Sequence, residues 1–507
     1  MSDIDLADFP TLSGARRLWS NGDTGSALAE FAKAMLERPR NIKAILEAAR
    51  AYGGQFQITR AEDLLDQAQR LGRGHPAVLH QTAATYAQIY REDIAISLYT
   101  AMPARQPEAM AELAALYERA GRLDAALDEI DSCIGAAPRA GEPRLAKARI
   151  LRRRGDRAAA LTLLAPLTDP RLAPALGAEA WTERCYIHDR DGDFAGAAQA
   201  IAEAHAILRA QPQTPGLLRQ AHANNRAIAA MATNLSTDDL ATWRGAAAPG
   251  SRTAHLVGFP RSGTTLLEQC LDAHPGVVAS PERALFTRHI LPRLCHAGGG
   301  PLSIKTFRKV SADAAGAARA AYLDGMEQVL GDAIDHRVHL DKNPNHTGLI
   351  PALLRMDPHA RIIFALRDPR DVVTSCVLRT FRLTEFSAML LDWGSAVDLY
   401  AAEMNAWLRF REQIPAAQWV ETRYEDMVAD PMAEVRRILP TLGLPWDEAV
   451  ADYRTHTEGK IVNSPTQTEV RQPIYTRAIG RWQAYRDHLA PHLPRLAPFI
   501  RAFGYDA

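Results

Sequence analysis

Two short segments of this chain carry the residue types that grip anions. The first, Gly258-Phe259-Pro260-Arg261-Ser262-Gly263-Thr264-Thr265, stands between the apolar run AHLVGF and the helical stretch LLEQCLDAHP. A strand, a glycine-bearing turn and a helix N-terminus in that order aim backbone N–H groups and the positive end of a helix dipole at one point. The second, Arg367-Asp368-Pro369-Arg370-Asp371-Val372-Val373-Thr374-Ser375, closes the run ARIIFAL and opens a helix. Arg367 at the strand tip and Ser375 about two turns into the helix can reach the same phosphate. Set against the triphosphate loop GxxxxGK[ST], the first segment keeps both glycines, but Thr264 holds the lysine position and the cation comes earlier, at Arg261. That substitution argues against ATP or GTP hydrolysis. Alone, RDPRD also reads as a salt-bridged helix start with Pro near its first position. Paired with the first segment, it gives the chain two separate anion sites, which suit a ligand charged at both ends.

The elements that must position these segments are strands alternating with helices. From about residue 253 the runs AHLVGF (254–259), HRVHLDK (336–342), ARIIFALR (360–367) and WVETRYEDM (419–427) each precede helix-like sequence. That alternation predicts a parallel α/β sheet, with ligands beyond the carboxyl ends of its strands.

The N-terminal half reads differently. Alanine is dense, β-branched runs are scarce, and apolar positions recur three and four apart, as in amphipathic helices. Ala27, Ala61, Ala95, Ala126, Ala160 and Ala197 recur at intervals of 34, 34, 31, 34 and 37, each followed four positions on by Phe31, Leu65, Tyr99, Ile130, Leu164 or Ile201. Gly22, Gly121, Gly155 and Gly192 stand five positions ahead of their alanines, and Pro39 and Pro138 close two of the units. The pattern resembles tetratricopeptide repeats, in which Gly turns between two antiparallel helices and a small Ala lets them approach. The second and third units have Phe56 and Tyr90 at the turn position. The resemblance implies six helical repeats whose concave surface takes a protein or peptide partner, or a solenoid that stabilises or dimerises the chain. The expected organisation is a repeat domain with a capping helix over 1–235, a linker over 236–252 and an α/β domain over 253–507.

The balance of 59 Lys+Arg against 59 Asp+Glu in 507 residues excludes a bulk cationic nucleic-acid binder, so charge-driven recognition has to be local. Five scattered cysteines with no CxxC pair suggest neither a disulfide framework nor a structural zinc site. The apolar stretch Ala158–Leu167 is half of the roughly 20 residues a spanning helix needs. A cytoplasmic protein with no membrane or nucleic-acid partner is expected.

The segment PRSGTTLL followed by LDAHP is similar to the phosphosulfate loop of sulfotransferases, and especially to the tyrosylprotein sulfotransferase branch. That resemblance implies a P-loop-like α/β fold and 3'-phosphoadenosine 5'-phosphosulfate as donor. It implies that Ser262, Gly263, Thr264 and Thr265 cradle the 5'-phosphate, that Arg261 faces the sulfuryl group, and that Arg367 and Ser375 hold the 3'-phosphate. Glu282, downstream of Arg261 in VVASPERALF, matches the family's catalytic glutamate, although Ser280-Pro281 replace the usual Gly-Glu ahead of it. A phenol with a pKa of about 10 needs such a base. Lys342, in HLDKNPNHTGLI, matches the lysine that supports the bridging oxygen. Tyr424 matches a tyrosine near the adenine, Thr466 a donor-contacting serine, and Arg481 a donor-contacting lysine. A sulfuryl group carries less charge than a γ-phosphoryl, so no metal is expected. The acceptor implied is a protein tyrosine recruited by the repeats. A glycan or lipid hydroxyl, a non-catalytic nucleotide-binding scaffold and a phosphotransferase are the alternatives. His274, His339 and His346 are read as structural, and Cys270 and Cys376 as packed thiols.

Overall fold

The computed structural model describes residues 4–248, 250, 252–457 and 476–506. Contacts group the chain into two compact units, one of residues 1–143 with 322–333, the other of 144–321 with 334–507.

The first unit contains four helix pairs, from Pro10–Ser20 with Thr24–Glu37 to Pro107–Arg119 with Leu123–Ala136; two further pairs, Gly141–Arg154 with Arg157–Leu164 and Pro174–Arg190 with Phe194–Arg209, belong to the second from Arg144 on. All six recurring alanines lie in the second helix of their pair, without exposed surface, and the apolar residue four positions on is buried beside each. Without a larger side chain at the alanine, the two backbones close on each other and the apolar residue one turn later fills the seam. Gly22, Gly121, Gly155 and Gly192 have φ between 77° and 101°, and Phe56 and Tyr90 adopt φ of 59° and 68° at the same turn. The turn therefore demands left-handed backbone whichever residue occupies it. Asp23, Asp156 and Asp193, each directly after a turn glycine, accept from the backbone N–H groups of Ser26, Ala159 and Gly196 and so start the second helices.

The stretch 236–252, expected as a linker, holds the helix Thr237–Ala246. Ser236 and Asp239 cap it reciprocally, Trp243 is buried, and Asp239 pairs with Arg308 at 2.6 Å.

The sheet in the second unit has five parallel strands: β1 (Thr253–Gly258), β2 (Val277–Pro281), β3 (Val338–Lys342), β4 (Arg361–Leu366) and β5 (Trp419–Arg423), in the order β2-β3-β1-β4-β5. The four runs expected as strands became β1, β3, β4 and β5. β2 was not expected, and its five residues pair with β3 at the sheet edge, where a terminal Pro costs no ladder bond. Ile363 and Ala365 of β4 face a core shared with Leu267, Leu271, Ile438 and Leu439, while Phe364 between them stacks on Trp407 from the other side at 4.1 Å. Helices therefore cover both faces of the sheet, which fits its near-continuous apolar strands. From β1 the chain runs to one side of the sheet and from β4 to the other, which leaves a crevice between their carboxyl ends.

Candidate functional site

Both segments expected to hold anions open at that crevice. Gly258, the last residue of β1, has φ 152°, and a Cβ there would meet the carbonyl oxygen of Ala365 at 2.5 Å. Close approach of β1 to β4 thus requires its glycine. Gly263, at φ 85°, caps the helix Thr264–Asp272 and has no side chain to accept from its first turn. An anion is the natural acceptor for such N–H groups. Ser262, Thr264 and Thr265 are buried around this turn. From the other segment, Asp368 caps the helix Pro369–Val377 by accepting from Arg370 N, and the helix is buried along its length, Ser375 included.

The two segments meet directly. Arg261 donates from Nε to Ser375 Oγ at 3.1 Å, and Arg367 donates from Nη1 to the Arg261 carbonyl at 3.1 Å. The sequence assigned Arg261 and Ser375 to different ends of a donor; the fold sets them side by side. Arg367 is buried, its guanidinium 5.0 Å from the centre of the Tyr424 ring, and its Nε has no hydrogen-bond partner among the described residues. A buried guanidinium with a donor left over fits an incoming anion. Arg261, Gly263, Thr264, Thr265, Glu282, Arg367, Ser375, Tyr424 and Arg481 all line one cavity of about 1880 Å³. Thr466 lies outside the described residues.

The remaining pair sits at the ends of β2 and β3. Pro281 pairs with Lys342 in the sheet, and the next residue, Glu282, donates its backbone N–H to the Lys342 carbonyl at 2.7 Å. This register brings the Glu282 carboxylate 2.7 Å from Lys342 Nζ. Lys342 has no exposed surface, and its second partner is Glu268 at 3.5 Å. Burial works against the ammonium, but the two carboxylates outweigh it and hold its pKa above the ordinary lysine value. Burial also pushes Glu268 up to about 7 against the pull of Lys342. Arg261 and Glu282 both stand on left-handed backbone, at φ 76° and 43°. Strain of this kind on non-glycine residues collects where the surroundings fix a side chain for use.

Sequence reasoning missed Glu268. Its signal was faint: Thr264, Glu268 and Asp272 recur every fourth residue, with Thr265 and Gln269 beside them, which marks one polar face opposite Leu266, Leu267, Cys270 and Leu271. The three histidines are buried, and His346 Nδ1 stands 3.9 Å from Asp341. His274 accepts from Gly276 N at 2.9 Å and contacts the Pro445 carbonyl, and His339 reaches Ser280 Oγ at 2.8 Å. Cys270 and Cys376 are buried thiols.

Residues 255–448 match the sulfotransferase family, so the C-terminal half carries a domain of that family. Over 256 residues the chain is 27% identical to an uncharacterized protein of Aquifex aeolicus, a match spanning 49% of this chain and 32% of that one. It is 26% identical over 272 residues to protein-tyrosine sulfotransferase A of Caenorhabditis elegans, spanning 49% of this chain and 66% of the relative. With protein-tyrosine sulfotransferase 1 of Danio rerio it shares 25% over 269 residues, spanning 49% and 71%. The chain thus spans less than two thirds of the first two relatives. No helix among the described residues is long and apolar enough to cross a membrane.

Proposed function

We propose that this chain, whose C-terminal half carries a sulfotransferase-family domain, transfers the sulfuryl group of 3'-phosphoadenosine 5'-phosphosulfate to a tyrosine hydroxyl of a protein or peptide. The observation that carries the reading is the Arg261–Ser375 contact: two anion-binding turns, far apart in the chain, face one cavity. In this reading the N–H groups around Ser262, Gly263, Thr264 and Thr265 hold the 5'-phosphate. Arg367 and Ser375 hold the 3'-phosphate, and Tyr424 lies beside the adenine. Thr466 and Arg481 are the remaining donor contacts.

Glu282 takes the phenolic proton as the acceptor oxygen bonds to sulfur. The S–O bond to the 5'-phosphate breaks, and its electron pair stays on the phosphate oxygen. Lys342 and Arg261 stabilise the charge gathering there. An ammonium already fixed between two carboxylates needs little reorganisation to do so. The products are a sulfated tyrosine, adenosine 3',5'-bisphosphate and a proton on Glu282.

The cavity wall has eleven arginines against four carboxylates, a balance that favours an acceptor with acidic groups beside its hydroxyl. An acidic peptide presented by the helical repeats meets that requirement, and an anionic glycan is the second reading the same charge allows. A panel of tyrosine peptides and glycans incubated with radiolabelled donor decides between them, and label on glycans alone refutes the protein acceptor. Glu282→Ala and Arg367→Ala should each abolish transfer, with donor binding largely kept in Glu282→Ala.

A further inference from the structure

One wall of the cavity comes from a helical repeat that carries no anion-binding motif. The helix Pro174–Arg190 sets Thr182, Cys185 and Asp189 on one face, three and four residues apart. Thr182 Oγ1 lies 2.9 Å from Thr380 Oγ1, and Cys185 packs in an apolar cluster with Leu378 and Tyr485. Asp189 does more than pack. Its Oδ1 accepts from Arg481 Nη2 at 2.8 Å, from Arg481 Nε at 3.1 Å and from the Tyr485 hydroxyl at 2.6 Å.

Arg481 and Tyr485 belong to a segment that the Ser375 helix grips from its other side. The two Asp371 oxygens accept from the backbone N–H groups of Gly480 at 2.7 Å and Trp482 at 2.8 Å, and Arg367 donates from Nη2 to the Ala478 carbonyl. The segment is therefore strung between the first turn of the anion-binding helix and a carboxylate of the sixth repeat. Arg481, Arg367 and Asp189 all line the cavity. A guanidinium has five N–H donors, so one carboxylate oxygen fixes its orientation and leaves others for an anion.

We propose that Asp189 is a positioning residue of the donor site, acting through Arg481, so that the sixth repeat completes the nucleotide pocket in addition to any part in acceptor recruitment. The inference rests on the donor reading above. It is tested on the full chain by calorimetric titration with adenosine 3',5'-bisphosphate, together with steady-state kinetics. Asp189→Asn keeps the side chain's shape and removes its charge. It should raise the nucleotide Kd and the donor KM about tenfold, the worth of one charge-assisted hydrogen bond, and leave the acceptor KM within about twofold. Arg481→Gln should weaken nucleotide binding at least as much. Asp191→Asn, on the same turn and paired with Arg157, should leave it unchanged. If Asp189→Asn and Arg481→Gln lower the melting temperature but bind the nucleotide like the wild type, the contact is only an interface and the inference falls. If the wild type binds no nucleotide, the donor reading itself fails and takes the inference with it.

Discussion

Gly263→Ala probes the geometry of the turn between β1 and its following helix without assuming any ligand or reaction. A Cβ on this residue would lie 2.5 Å from Cδ2 of Tyr424, and the backbone there has φ 85°. Two costs therefore add. Left-handed backbone costs an L-residue roughly 1–2 kcal/mol. The Tyr424 ring must also swing away, giving up its contact with the Arg367 guanidinium 5.0 Å from its centre, worth about 0.5–2 kcal/mol. Together they amount to about 1.5–4 kcal/mol, of which only the second involves Tyr424. Scanning calorimetry on the four members of a Gly263→Ala and Tyr424→Ala cycle separates them. In the Tyr424→Ala background the glycine substitution should cost only its backbone share, giving a coupling energy of about 1 kcal/mol between the sites. Additive effects would show that the ring is not what the glycine makes room for. A Gly263→Ala protein as stable as the wild type would refute both parts of the reasoning.

Three further outcomes are expected. Lys342→Met should lower kcat about 10²–10³-fold, the usual loss of one preorganised charge-stabilising group, with the donor Kd little changed; an unaltered kcat in a transfer assay would remove Lys342 from the chemistry. Burial lowers the pKa values of His339 and His346 from 6.5 to about 4, so between these pH values the unfolded chain binds more protons than the folded one. Stability is present above pH 6.5 and lost as pH falls toward 4, on the order of 3 kcal/mol per histidine, and a melting temperature flat across that window would contradict it. Asp371→Ala leaves the N–H groups of Gly480 and Trp482 without their acceptor, and limited proteolysis should then cut near residue 480 faster than in the wild type.

The repeats were legible because each is a local unit: the alanine, the apolar residue four positions on and the turn ahead of it lie within one turn and the helix that follows, and that spacing survives even where Phe56 and Tyr90 replace the glycine. The two segments expected to hold anions were legible as strand tip, turn and helix start for the same reason, each lying in continuous sequence. β2 was not, because VVASP is short, ends in proline and takes its place only by pairing with β3, which lies far along the chain. The two polar contacts missed in the sequence are long-range as well. Glu268 meets Lys342 from a helix well upstream of that strand, and Asp189 meets Arg481 across most of the second unit's length. A carboxylate on an amphipathic helix gives no local sign that its cation will arrive from a distant strand or loop.

The apolar cluster formed by Cys185, Ala197, Ile201, Leu378 and Tyr485 bears on how this protein can be cut. A fragment starting at residue 253, where the sequence changes texture, would have Leu378 and Tyr485 stripped of their cover and turned toward water. Such a piece should be sticky and short-lived even with every motif intact, and recombination among relatives should succeed more often at seams that leave the sixth repeat attached.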